Sequence, residues 1–190
     1  MRYGVATVLA EIARLRREKG RVIVAIDGRC ASGKTTMAGE LGSILDCNVI
    51  HMDDFFLREE QRTMERYAEP GGNVDRERFF SEVLQPLLRG EPFFYRPFNC
   101  HEMRLSEPVA VTPGEVDIIE GTYSCHPAFW DSYDLRIFLT ISRERQLMRI
   151  RQRDGAKAEV FQKRWIPLEE RYFAAFGLEE KCEIRIVDKG

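Results

Sequence analysis

Val22-Ile23-Val24-Ala25-Ile26-Asp27-Gly28-Arg29-Cys30-Ala31-Ser32-Gly33-Lys34-Thr35-Thr36 is the stretch on which the reading of this chain turns. Residues 22–26 form a continuous apolar, largely β-branched run, the pattern of a strand covered on both faces in a parallel sheet. Residues 28–35 then fit G-x-x-x-x-G-K-[ST] in full, and from residue 34 to 45 the pattern turns helical. A glycine-rich turn between strand and helix can wrap its backbone N–H groups around phosphate oxygens, helped by the positive end of the helix. Lys34 is expected to reach the β- and γ-phosphates of ATP and Thr35 to offer its hydroxyl to Mg²⁺, with Thr36 serving chiefly as a helix residue. Gly28, Arg29, Cys30, Ala31, Ser32, Gly33, Lys34, Thr35 and Thr36 are therefore the candidate nucleotide-binding set.

Outward from this loop, Val5, Val8, Leu9, Ile12, Ala13 and Leu15 recur at helical spacing ahead of Arg16-Arg17-Glu18-Lys19-Gly20, a helix closed by cations and a glycine. Residues 47–52 read as a second strand delivering Asp53-Asp54, and residues 116–121 as another that ends on Glu120-Gly121. Residues 135–140 and 183–187 read as strands as well. Asp75 caps a helix carrying Phe79, Phe80, Val83 and Leu84, Ser142 caps an arginine-rich helix to Asp154, and residues 157–176 read as helical through Pro167. Strands alternating with helices predict a three-layer α/β fold with a parallel sheet, the P-loop NTPase architecture, as a single domain over residues 1–190. Residues 57–74, broken by Pro70-Gly71-Gly72-Asn73, and residues 92–113 read as insertions around an acceptor, and residues 143–156 as a small arginine-rich lid.

Hydrophobic residues make up 44% and charged residues 32%, the composition of an ordinary globular chain. Lys plus Arg (29) nearly match Asp plus Glu (31), so no global positive field exists to hold nucleic acid or an anionic membrane. No apolar run approaches the roughly 20 residues of a membrane span and no secretory signal opens the chain, which makes the cytoplasm the expected location. The five cysteines are scattered and the three histidines lack zinc spacing, so reduced thiols and Mg²⁺ are expected. The partner implied is a small molecule, and a homo-oligomer is compatible with the composition.

Ligands of open parallel sheets bind beyond the carboxyl ends of the strands, so Asp53, Asp54 and Glu120 should converge on the loop. An acid there can hold Mg²⁺ or take the proton of an acceptor hydroxyl. Asp53 is the expected base, and it joins Thr35 and Glu120 in the metal set. If strand geometry persists through Asp53 and Asp54, their side chains diverge and one of them faces the acceptor. Arg143, Arg145, Arg149, Arg151 and Arg153 fall within eleven residues. Arg149 and Arg153 share a helical face and are expected to clamp the transferring phosphoryl group, the alternative being a solvated face paired with Glu144 and Asp154.

Asp27 through Thr36, Met52-Asp53-Asp54-Phe55-Phe56, Ile119-Glu120-Gly121 and the arginines before Asp154 together resemble the uridine kinase and phosphoribulokinase group of P-loop kinases, over about residues 21–187. The resemblance implies an ATP-dependent kinase that phosphorylates the 5′-hydroxyl of a nucleoside, uridine or cytidine first. It places Asp53 where the strand-end Asp-Ser-Phe-Tyr of uridine–cytidine kinases carries the base, and Glu120 at the metal-side glutamate of the Glu-Gly pair. Asp75, in Asn73-Val74-Asp75-Arg76, looks like the aspartate that holds the ribose hydroxyls. Tyr95-Arg96-Pro97-Phe98-Asn99 with His101 and Arg104 loosely matches a Pro-x-Tyr-Asp stretch, so Phe56, Tyr95, His101 and Arg104 join Asp75 as candidate acceptor contacts. Asp54 and Phe56 are instead similar to the Asp-Asp-Phe-Phe of nicotinamide riboside kinases, as are Phe138-Leu139-Thr140-Ile141 and Trp165-Ile166-Pro167. That activity, or another small-molecule kinase, is the alternative. A nucleotide-binding regulator that transfers nothing is the non-enzyme alternative, disfavoured by the arginine segment and the extra strand-end acids.

Overall fold

The apolar run at residues 22–26 becomes the central strand of a parallel sheet in the computed structural model, which describes residues 2–188. The chain runs through α1 (Arg2–Lys19), β1 (Val22–Gly28), α2 (Lys34–Leu45), β2 (Asn48–His51), α3 (Met64–Ala68), α4 (Arg76–Phe79) and α5 (Gln85–Arg89). It continues through β3 (Phe93–Tyr95), β4 (Phe98–Asn99), β5 (Arg104–Leu105), β6 (Val109–Val111), β7 (Val116–Glu120), β8 (Leu135–Ile141) and α6 (Arg143–Asp154). It closes with α7 (Ala158–Val160), α8 (Ile166–Phe176), α9 (Leu178–Lys181) and β9 (Ile184–Asp188). Five strands pair in parallel in the order β2-β7-β1-β8-β9.

Alternate residues of β1 feed different cores, because side chains leave a strand on opposite faces. Val22, Val24 and Ile26 pack with Val8 and Ile12 of α1 and Met37 and Leu41 of α2. Ile23 and Ala25 face the other side, in the core that holds Phe79, Phe129, Phe138 and Tyr172. A strand buried on both faces is thus the middle of three layers, the P-loop NTPase fold. Among the described residues no helix is long and apolar enough to cross a membrane.

The helix expected over 157–176 is segmented, and proline is the reason. A π-turn at Phe161–Trp165 precedes Pro167, and another at Phe80–Leu84 precedes Pro86 in α5. Proline has no N–H to donate and its ring crowds the carbonyl four residues back, and a wider turn opens that register. The strand read over 47–52 ends at His51, and Met52–Phe55 is a 3₁₀ turn, so strand alternation does not govern Asp53 and Asp54.

The insertions carry more structure than their composition implies. Arg66 of α3 ties residues 57–74 down by donating to the carbonyls of Gly72 and Val74, each at 2.9 Å. Residues 92–113 fold into antiparallel pairs, β3 with β6 and β4 with β5.

Asp27, fully buried near the end of β1, joins the elements around the loop. Its Oδ1 accepts the N–H groups of Gly28 (2.6 Å) and Tyr123 (3.2 Å), and its Oδ2 those of Cys125 (2.8 Å) and the Tyr172 hydroxyl (2.8 Å). Burial pushes this carboxyl above its ordinary range, while the donors and the charge of Lys34 act against the rise. Tyr172→Phe removes one of those donors without changing shape. It is expected to cost about 1–3 kcal/mol in urea unfolding, and an unchanged midpoint would show that the hydroxyl holds nothing.

Candidate active site

A cavity of about 1150 Å³ opens beyond the carboxyl ends of β1, β2 and β7. Its floor is the glycine-rich loop, from Cys30 and Ala31 to Gly33, Lys34, Thr35 and Thr36. Gly28 leaves β1 at φ 131°, where an added Cβ would stand 2.0 Å from the Leu139 carbonyl oxygen, so side chains are excluded at this crossing. Lys34 Nζ folds back to donate to the carbonyls of Gly28 (2.8 Å) and Arg29 (3.0 Å). The first-turn N–H groups of α2 have no intrahelical partner, and Ser32 Oγ is buried with no hydrogen-bond partner among the described residues, an arrangement that suits a bound anion.

Arg29 and Cys30 are each engaged by side chains distant in sequence. The Arg29 N–H is spent on Leu139 O (3.1 Å). Its guanidinium donates to both oxygens of Glu170 (2.7 and 2.9 Å), to Glu179 (2.9 Å) and to Thr140 (2.5 Å). Arg29 therefore fastens the loop to the C-terminal helices. The Cys30 N–H is held by Glu169 Oε2 at 3.0 Å, and its carbonyl accepts from Gln146 Nε2 at 3.1 Å.

Thr35 Oγ1 lies 3.2 and 3.4 Å from the oxygens of Glu120, and His51 Nδ1 donates to Glu120 Oε1 at 2.6 Å. That bond holds the His51 pKa above its ordinary value. The glycine after Glu120 is required by closeness: Gly121 has φ 135°, and a Cβ there would come within 2.8 Å of Met52 Cβ at the start of the 3₁₀ turn after β2. Asp53, on the 3₁₀ turn, is open to the cavity yet crowded by protein, which raises its carboxyl above the usual range against the pull of Lys34. Asp54 turns away and accepts from the Tyr95 hydroxyl at 3.1 Å, so the acids do diverge, by way of the turn. Among the described residues no group of three or more His, Cys, Asp or Glu side chains forms a metal cage. One hydroxyl and one or two carboxylates fit Mg²⁺, which is bound by few protein oxygens and completes its shell with water and phosphate.

Arg149 and Arg153 line the cavity; Arg149 donates to Ala31 O (3.1 Å) and pairs with Asp188 (2.6 Å), while Arg153 lies over the Phe161 ring and pairs with Asp154 (2.8 Å). Phe56 and His101 line the same cavity, joined by Arg62, Tyr67, Asn73 and Trp165, which were not among the expected site residues. Asp75, Tyr95 and Arg104, grouped with the acceptor on sequence grounds, stand outside the lining. Asp75 is buried, with Oδ1 capping the Arg78 N–H (3.1 Å) and Oδ2 3.7 Å from Arg58 Nε. Tyr95 is buried with its ring stacked on Phe55, and Arg104 is exposed and paired with Glu102. Glu169 was missed as well, although a glutamate on the apolar stripe between Ile166 and Phe173 is a readable signal.

No protein-family model matches the chain, and no curated protein matches it. Solved structures do. A protein of Bacillus stearothermophilus described as a possible uridine kinase is 18% identical with a TM-score of 0.67, covering 95% of this chain and 99% of that one. A candidate fructose transport system kinase of Silicibacter sp. TM1040 is 22% identical with a TM-score of 0.69, covering 94% and 97%. YFH7 of Saccharomyces cerevisiae, a candidate P-loop kinase with a circular permutation, is 12% identical with a TM-score of 0.69, covering 98% and 99%. At these identities the likeness is one of fold.

The fork between Arg29 and Glu170 can be weighed by a double-mutant cycle. Arg29→Ala and Glu170→Ala are expected to couple by about 0.5–3 kcal/mol in chemical unfolding; strictly additive losses would mean that the pair does not hold the loop.

Proposed function

We propose that this chain is an ATP-dependent kinase that transfers the γ-phosphate to a hydroxyl of a small acceptor, and that the acceptor is the 5′-hydroxyl of uridine or cytidine. The observation that carries the kinase reading is the meeting, in one cavity, of the glycine-rich loop with Lys34, of Thr35 beside Glu120, and of Asp53 facing the open space. The likeness to folds of the P-loop kinase type supports it. The nucleoside assignment rests on the resemblance of the motifs, and the aromatic side chains of Phe56, Tyr67 and Trp165 in the cavity lining are compatible with a planar base.

In this reading Lys34 exchanges the Gly28 and Arg29 carbonyls for the β- and γ-phosphates. Asp53 takes the proton of the acceptor hydroxyl as its oxygen attacks phosphorus. Arg149 and Arg153 meet the charge on the equatorial oxygens, and the packing of α6 over the loop keeps water out. Thr35 and Glu120, with Asp53 beside them, are the residues to hold Mg²⁺, which when bound neutralises phosphate charge. His51 orients Glu120. Asp75, whose buried Oδ2 accepts no hydrogen bond among the described residues, is the ribose contact that the resemblance implies, and Asn73 and His101 are polar side chains of the cavity wall that can join it.

Nicotinamide riboside kinase activity is the second reading, favoured by Phe56 on the cavity wall after Asp53-Asp54. A panel of nucleosides, nicotinamide riboside and sugars, assayed for transfer from ATP, separates these readings; nucleotide binding without transfer to any of them would point to a regulator.

Lys34→Ala is expected to abolish turnover, and near-normal activity would remove the loop from the chemistry. Asp53→Asn, assayed at saturating ATP and acceptor with folding checked by thermal melt, should lower kcat by roughly 10²–10⁴ while nucleotide binding survives. Asp54→Asn should be milder, and the reverse order would move the base to Asp54.

A further inference from the structure

Glu169 is an acid on the inward stripe of α8 and only 5% exposed. Its Oε2 accepts the Cys30 N–H at 3.0 Å, and it lines the same cavity as Lys34, Thr35 and Asp53. A carboxylate therefore stands as an anion against the loop at which the oxygens of a polyphosphate are to arrive. It is held there by its neighbour, because Glu170 grips the Arg29 guanidinium with both oxygens, so α8 is pinned to the loop at successive residues.

We propose that Glu169 is a proton-linked latch on the phosphate loop: its carboxylate holds the Cys30 N–H while the loop is empty, and a polyphosphate is accommodated as Glu169 takes up one proton. The inference rests on the phosphate-loop reading given above. Protonated, the side chain becomes an O–H donor toward a phosphate oxygen and no longer repels it. No covalent step is involved; the proton comes from solvent and returns there when the nucleotide leaves.

The surroundings of Glu169 place this exchange near neutral pH. Burial lifts its carboxyl to about 7, against the lowering influence of Lys34 and of the Cys30 N–H, and Asp27 adds to the rise. The Tyr123 hydroxyl and the Cys30 thiol face it from the β7 turn and the loop, and Arg149 and Arg153 of α6 share its cavity. A phosphate brought against it raises the carboxyl further, so binding draws in a proton. In the empty protein, a carboxyl raised above its unfolded value contributes stability that is complete below the unfolded pKa and is lost as pH rises through about 7.

The test is calorimetric titration of the full chain with Mg²⁺ and ADP between pH 6 and 8, in buffers of different ionisation heat, for the parent and for Glu169→Gln. ADP titrates alike in both, so the difference isolates Glu169. The affinity of the parent, relative to the variant, is expected to fall by about tenfold across that range, within the limit of tenfold per pH unit for one linked proton. The parent is also expected to take up about half a proton more than the variant near pH 7.5. Without nucleotide, the melting temperature of Glu169→Gln should gain on the parent as pH rises from 5 to 8. Parallel affinity profiles with equal proton uptake would overturn the latch. If Glu169→Gln does not fold, Glu169→Ala is carried through the same titration, and equal proton uptake by parent and variant overturns the proposal. A parent that binds no ADP at any pH overturns the phosphate-loop reading itself.

Discussion

The buried carboxylate of Asp27 is the constraint from which the site is organised. Its oxygens collect a loop N–H, N–H groups of the turn after β7 and a hydroxyl from α8, so three separate parts of the chain share one anchor. An isolated charge in such a place is costly, and its ligation is what makes it tolerable. The consequence is geometric: the turn carrying Thr122 is drawn to the start of the loop, where Thr122 Oγ1 donates to Gly28 O at 3.0 Å.

Strand order does the rest. With β7 between β1 and β2, Glu120 is placed beside the loop, and the turn after β2 brings Asp53 to the same opening. Glycines stand at the ends of β1 and β7 because neighbouring backbone or side-chain atoms occupy the space a Cβ would need. The site is thus a by-product of close packing at strand ends, the place where parallel sheets leave a crevice.

Chemically identical side chains are separated by their neighbours. Asp53 faces the cavity, Asp54 is engaged by the Tyr95 hydroxyl, and Asp75 caps a helix beside Arg58. Arg29 and Arg149 both touch the loop, yet Arg29 is consumed by carboxylates of α8 and α9, whereas Arg149 lines the cavity. Roles among these groups follow from which partners and how much solvent each retains.

Local pattern alone determined the apolar run of β1, the glycine-rich loop, the helix after it, the strands that end on acids and the three-layer class, because strand periodicity and turn chemistry are written within a few residues. It missed the segmentation around Pro86 and Pro167 in detail and the pairing inside residues 92–113, where short strands carry little periodicity. Only the tertiary structure decided that Asp75, Tyr95 and Arg104 lie outside the cavity, and that Glu169 lies within it. The Glu169 assignment joins residues more than a hundred positions apart, through the contact with Cys30, and depends on how α8 packs against the loop. No window of sequence contains that distance, since it is set by the packing of whole layers and not by the preferences of the residues that meet.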